Sequence, residues 1–174
     1  MKILLCGDIN SGKTTLIKRL LADMSAAPRG YITVRMPEVD GVSNVYLYDI
    51  ANPPERVEDA AVIMAISDSV TEKHPELLDT LGVRYLTGIP AGSVVVLDEI
   101  GSLETASPEF QKAVMRILSG EYTVLAAVKA ANTDFLRAVR RHPDCELYII
   151  TPDNRESVVF FEGFSALFWC GRAL

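Results

Sequence analysis

Apolar positions along this chain follow two rhythms. Unbroken apolar runs within residues 2–6 and 94–97 have the make-up of strands buried on both faces of a parallel sheet. Residues 15–21 instead place leucine and isoleucine at helical spacing, so an amphipathic helix follows the first strand. Residues 29–35 and 42–48 are β-rich and flank a segment with Pro37 and Gly41, which predicts an antiparallel hairpin. Asn52-Pro53-Pro54 breaks structure, 62–66 is an apolar run, and 75–87 is compatible with a helix. Beyond residue 100 strand and helix alternate. A helix starts at Ser107-Pro108 and stops at Gly120, 122–128 is a strand, Asn132 caps another helix, and 147–150 is a last strand. This order predicts an α/β fold, a three-layer sandwich around a largely parallel central sheet with an added β-hairpin. At 174 residues the chain is expected to be a single domain spanning 1–174.

Chemistry enters where the first strand meets the first helix. Gly7-Asp8-Ile9-Asn10-Ser11-Gly12-Lys13-Thr14 matches the phosphate-loop pattern G-x-x-x-x-G-K-[S/T], which arises by chance in a chain of this length with a probability of about 0.01. Gly7 and Gly12 let the backbone turn tightly, so that successive amides and the helix N-terminus face an anion. Asp8, Ile9, Asn10 and Ser11 would contribute backbone amides, and Thr15 a secondary contact. Lys13 would place its ammonium on the terminal phosphates, and the Thr14 hydroxyl would ligate Mg²⁺, a hard cation that prefers oxygen. The expected substrate is a nucleoside triphosphate.

A second constellation is Asp98-Glu99, at the carboxyl end of the buried 94–97 run. Ligands bind at that edge of open α/β sheets. Asp98 would hold Mg²⁺ and Glu99 would activate the water that attacks the terminal phosphate. Asp98-Glu99-Ile100-Gly101 also fits the D-x-x-G pattern of guanine-nucleotide switches. The chain lacks an Asn-Lys-x-Asp sequence for guanine, and an acid directly after the strand Asp favours the hydrolytic arrangement.

Composition narrows the surroundings. A net charge of −6 argues against a general nucleic-acid surface. No apolar run approaches a membrane span or a cleavable signal, so a cytoplasmic protein with no membrane contact is expected; a protein partner stays open. Cys6, Cys145 and Cys170 have neither disulfide-framework nor metal spacing and read as buried, reduced thiols.

With these motifs in place the chain resembles the small nucleoside-triphosphatases often called the cancer-related nucleoside-triphosphatase family. The resemblance covers most of the chain. It is carried by the loop Gly7 to Thr15, by Gly30-Tyr31-Ile32-Thr33-Val34-Arg35, by Asp98-Glu99-Ile100-Gly101-Ser102-Leu103-Glu104 with Ser107 and Phe110, and by Asn154-Arg155. It implies Mg²⁺-dependent hydrolysis of nucleoside triphosphates with loose base preference, on a phosphate-loop fold with an extra strand between the loop strand and the Asp-Glu strand. The chain departs from that family's pattern at Asp8-Ile9, where a Pro-Pro pair is usual, at Ser102-Leu103, where Lys-Met is usual, and at Ala126-Ala127-Val128, where a Thr is common.

Several residues remain two-sided. Arg35 would stabilise charge on the transferring phosphoryl group or form a surface pair. Arg155 would contact the nucleotide. Lys129 reads as a solvated strand-end lysine, with a charge beside the phosphates as the alternative. Arg137, Arg140 and Arg141 read as a solvated helix face rather than a lid. His74 and His142 read as surface residues, Tyr31, Tyr46 and Tyr48 as packing on a half-buried hairpin, and Phe160, Phe161, Phe164, Phe168 and Trp169 as core or docking contacts. A nucleotide or small-molecule kinase, and an adaptor that binds nucleotide without turnover, are the competing functions.

Overall fold

A computed structural model describes residues 1–22, 24 and 26–154. Arg155, the aromatic cluster from Phe160 to Trp169 and Cys170 lie outside the described residues. Eight strands, β1 (Lys2–Gly7), β2 (Arg29–Arg35), β3 (Val42–Asp49), β4 (Ala61–Ser67), β5 (Thr71–Lys73), β6 (Val94–Ile100), β7 (Thr123–Lys129) and β8 (Glu146–Ile149), form one sheet among the described residues, in the order β5-β4-β3-β2-β6-β7-β1-β8. The pairs β2·β6, β6·β7, β7·β1 and β1·β8 are parallel. The expected extra strand is present, since β7 lies between the loop strand β1 and the Asp-Glu strand β6.

The two faces carry separate cores. On one, Ile3, Leu5, Ile32, Val96, Leu125 and Ala127 pack against Leu16, Ile17 and Leu20 of helix α1 (Lys13–Ala22). On the other, Leu4, Val95, Leu97, Val124 and Ala126 meet α2 (Pro108–Ser119) and α3 (Asp134–Arg140). Helix α2 buries Phe110, Ala113, Val114, Ile117 and Leu118, the i, i+3, i+4, i+7, i+8 stripe that one helix face presents to a sheet. Burial of each such large side chain is worth about 1.5–3 kcal/mol relative to exposure. The predicted start and stop of this helix hold. Pro108 opens it and the Gly120 amide closes on Ile117, while the Ser107 hydroxyl reaches away to the Pro75 carbonyl at 2.8 Å.

Tertiary packing corrects some local expectations. The hairpin β2–β3 forms, but β4 and β5 extend it into a four-stranded flank, because Val62 to Ile66 pair with β3. The 75–87 region is helical in three abutting pieces, Pro75–Leu77, Leu78–Gly82 and Val83–Tyr85, the middle one of π type. Thr133 rather than Asn132 caps α3, its hydroxyl accepting the Leu136 amide. Tyr31 is not half-buried: it is fully enclosed, with its ring 5.4 Å from that of Phe110. His142 is buried as well, its Nε2 within 3.1 Å of Ser119 Oγ. His74 stays part-exposed between Glu72 and Glu76. Cys6 is buried and Cys145 partly so. Among the described residues no helix is long and apolar enough to cross a membrane.

Candidate active site

The site forms where β1 and β6 end at the same edge of the sheet. The chain leaves β1 through Gly7, where a Cβ would come within 2.3 Å of the Ile150 carbonyl oxygen, so only glycine lets the loop pass the chain beyond β8 this closely. Asp8, Ile9 and Asn10 stand exposed, Asn10 and Gly12 take positive φ values of 64° and 102°, and α1 starts at Lys13. Thr15 points to solvent. Ser11 is buried, and its hydroxyl has no hydrogen-bond partner among the described residues.

The β6 ladder contributes the acids. Asp98 pairs with Ala127 and Ile100 with Val128, so Glu99 is the extra residue of an irregularity in the β6·β7 register. A regular strand would send neighbouring side chains to opposite faces. Here the bulge lets both carboxyls reach the first turn of α1. The Thr14 hydroxyl donates to Asp98 Oδ1 at 3.0 Å, and Lys13 Nζ lies 3.4 Å from Glu99 Oε1. Lys13 is itself buried and donates to the carbonyls of Gly7 at 3.0 Å and Asp8 at 2.7 Å. The sequence-predicted set of Lys13, Thr14, Asp98 and Glu99 is thus drawn together from positions 85 residues apart.

The two acids differ in environment. Asp98 is 1% exposed, and burial, only partly offset by the Thr14 hydrogen bond, pushes its carboxyl up to about 6. Its Oδ2 is buried without a hydrogen-bond partner among the described residues. Glu99 keeps a quarter of its surface and holds two lysines, because Lys129 Nζ also lies 3.1 Å from Oε2. Lys129 is therefore not a solvated strand-end lysine. The signal that would have found it is its register: it stands directly opposite Gly7 in the β1·β7 ladder.

Two further polar groups back the site, and pattern reading did not single out either as buried. Glu104, in the helical turn Leu103–Ala106, is 5% exposed, and burial raises its carboxyl to about 7; its Oε2 has no hydrogen-bond partner among the described residues. The Tyr31 hydroxyl is equally enclosed and has no hydrogen-bond partner among the described residues, and burial, then the charges of Glu104, Asp98 and Glu99, raise its pKa. Arg35 stands at the same edge, three residues beyond the Ile32 that pairs with Asp98, and its Nε donates to Ser43 Oγ at 3.0 Å. It is not part of the Lys13–Glu99 group. Arg137 is held by Asn132 and Asp134, and Arg140 donates to the carbonyls of Lys129 and Ala131, so neither is simply solvated. Asn154, which precedes Arg155, folds its side chain back onto the Ile149 carbonyl and the Thr151 amide.

This arrangement matches known proteins along nearly the whole chain. The nucleoside-triphosphatase THEP1 of Thermotoga maritima is 28% identical over 171 residues, covering 91% of each sequence, and that of Methanothermobacter thermautotrophicus shows the same identity and coverage. Among solved structures, THEP1 from Aquifex aeolicus superposes with a TM-score of 0.73 at 22% identity, over 97% of this chain and 99% of that one. The solution structure of a human cancer-related nucleoside triphosphatase gives 0.60 at 20% identity, over 98% and 97%. A family model described as NTPase matches residues 2–161, and the chain, with its phosphate loop and paired β6 acids, belongs to that NTPase family.

Proposed function

We propose that this nucleoside-triphosphatase cleaves the terminal phosphoanhydride of its substrate with Glu99 as the base and Lys13 on the phosphates, and that Thr14 and Asp98 would hold Mg²⁺. The observation that carries this reading is the contact pair Thr14–Asp98 and Lys13–Glu99, which joins the phosphate loop to both acids. A water oxygen attacks the γ-phosphorus, the bond to the bridging oxygen breaks, and the proton from water passes to Glu99. The products are a nucleoside diphosphate and phosphate.

The donor set fits magnesium. Thr14 Oγ1 and Asp98 Oδ1 are neighbouring oxygens, and Asp98 Oδ2 is a buried acceptor with no hydrogen-bond partner among the described residues. Among the described residues no three His, Cys, Asp or Glu side chains group closely enough to hold a metal alone. One or two protein oxygens completed by phosphates and water is the coordination Mg²⁺ favours. When bound, the ion neutralises charge on the phosphate oxygens. Arg35 and Arg155 would contact phosphate or nucleotide in the substrate complex. No membrane or nucleic-acid partner enters this reading, which fits an acidic cytoplasmic enzyme.

Phosphate release from a panel of ribo- and deoxyribonucleoside triphosphates, with Mg²⁺ or with EDTA, tests it. Glu99→Gln is expected to bind nucleotide while losing turnover by about 10²–10⁴-fold. Lys13→Ala is expected to weaken binding and to lose about 10²–10³-fold in turnover. Release that persists in EDTA removes the metal from the mechanism. Wild-type turnover that depends on an added hydroxyl acceptor turns the reading to a kinase, and binding without turnover turns it to an adaptor.

A further inference from the structure

Lys129 ends β7, the strand between the one that delivers the phosphate loop and the one that delivers the acids. Its register partner is Gly7, so its backbone lies about 4.8 Å from the start of the loop. The side chain is held in place rather than free. Its stem crosses Gly101, where a Cβ would come within 2.9 Å of Cδ and 3.3 Å of Nζ, so residue 101 must be small for the lysine to lie there. The Lys129 carbonyl is fixed in turn by Arg140 Nη1 at 2.9 Å. The ammonium ends 3.1 Å from Glu99 Oε2, on the side of the carboxylate opposite Lys13. Behind it the Glu104 carboxyl, buried near Gly101 and within the field of both Lys129 and Glu99, adds negative potential when ionised.

Glu99 is thus gripped by two cations. An ammonium stands on each carboxylate oxygen, so a water that hydrogen-bonds to Glu99 must compete with Lys13 or Lys129 for its place. A bound diphosphate supplies anionic oxygens for Lys13 at the loop. With Glu99 as the base, the third phosphate would be the one to bring oxygens to the Glu99 end of the site, where Lys129 stands. We propose that Lys129 is a γ-phosphate-contacting residue that leaves Glu99 when the terminal phosphate arrives, so that the base is released only for a triphosphate. The proposal rests on Glu99 being the base. Lys129 then adds positive charge where negative charge grows during transfer.

The test compares wild type, Lys129→Gln and Lys129→Arg. Affinities for a non-hydrolysable triphosphate analogue and for the diphosphate are measured by calorimetry with Mg²⁺, and kcat and KM by phosphate release. Lys129 is 30% exposed, so glutamine fits without disturbing the core. The Gln variant is expected to lose about ten- to a hundredfold in triphosphate affinity with diphosphate affinity unchanged, and about 10²–10³-fold in kcat; arginine restores part of the affinity ratio. An unchanged triphosphate-to-diphosphate ratio, or equal losses for both nucleotides, overturns the proposal and leaves Lys129 as a structural ion pair. A wild type that binds but does not hydrolyse defeats the hydrolase reading alone, because the affinity ratio still decides the role of Lys129.

Discussion

The sheet has two halves that bury their residues differently. In the parallel half, β1, β6 and β7 are buried on both faces almost throughout, and even the acid Asp98 is enclosed. In the antiparallel flank, β3 and β4 are largely half-buried, β5 is exposed at every residue, and Val39, Val42 and Val70 lie open to solvent. Helices cover both faces of the parallel strands, whereas among the described residues β3 and β4 bury Leu47 and Ile63 in the core with Leu78 and Leu86 but leave many of their other positions half-buried. The difference teaches where electrostatics can act. Asp98 and Glu104 shift their pKa by burial in the covered half, where the charge of Lys13 acts on the first and that of Lys129 on the second.

The comparison breaks most sharply at the seam. Gly30 of β2 sits where the flank joins β6, with a φ of 102° and a would-be Cβ only 2.2 Å from the Val96 carbonyl oxygen. Gly30→Ala is expected to destabilise the fold by about 3 kcal/mol in urea unfolding, because both the backbone conformation and the space exclude a side chain. A loss below about 1 kcal/mol would show that the two halves can shift against each other freely.

Burial in the covered half is sharpened by Glu104→Gln. Burial raises this carboxyl from its ordinary 4.5 to about 7, so the folded state holds its proton more tightly than the unfolded chain does. The associated stability is fully present below pH 4.5 and is lost as pH rises through about 7. A glutamine does not ionise. The variant is therefore expected to exceed wild type by about 2 kcal/mol at pH 8.5, with the gap closing towards pH 5. A gap independent of pH would mean that the carboxyl carries its charge throughout.

The smallest effect belongs to the open flank. Val39→Thr with Val70→Thr is expected to leave stability within about 0.5 kcal/mol per site and phosphate release unchanged. Lost turnover in this double variant would bring the hairpin tips into the substrate site.

The legible parts of the molecule were those written locally. The phosphate loop announces itself because a tight anion-binding turn needs glycines and a lysine at fixed spacing, and β6 announces itself because a strand covered on both faces must be apolar until it reaches the active edge. The helix over Pro108–Ser119 was equally visible, since its stripe and its proline and glycine ends all lie within one segment. The outer strands were harder to read. β4 owes its existence to pairing with β3, and β5 to pairing with β4, contacts that no local pattern encodes.

What the sequence determined by itself was the chemistry at the two motif ends: a lysine and a threonine on the loop, and two acids closing a buried strand. Only the tertiary structure decided which other groups share that space. Lys129 reaches Glu99 because β7 inserts between β1 and β6, and Tyr31 loses water where Phe110 of α2 packs on its ring; Arg35 instead turns to Ser43 across its hairpin. The physical reason is that a side chain's charge and burial depend on neighbours brought from distant positions, whereas the capacity of a loop to cradle phosphate depends on the backbone freedom of a few consecutive residues.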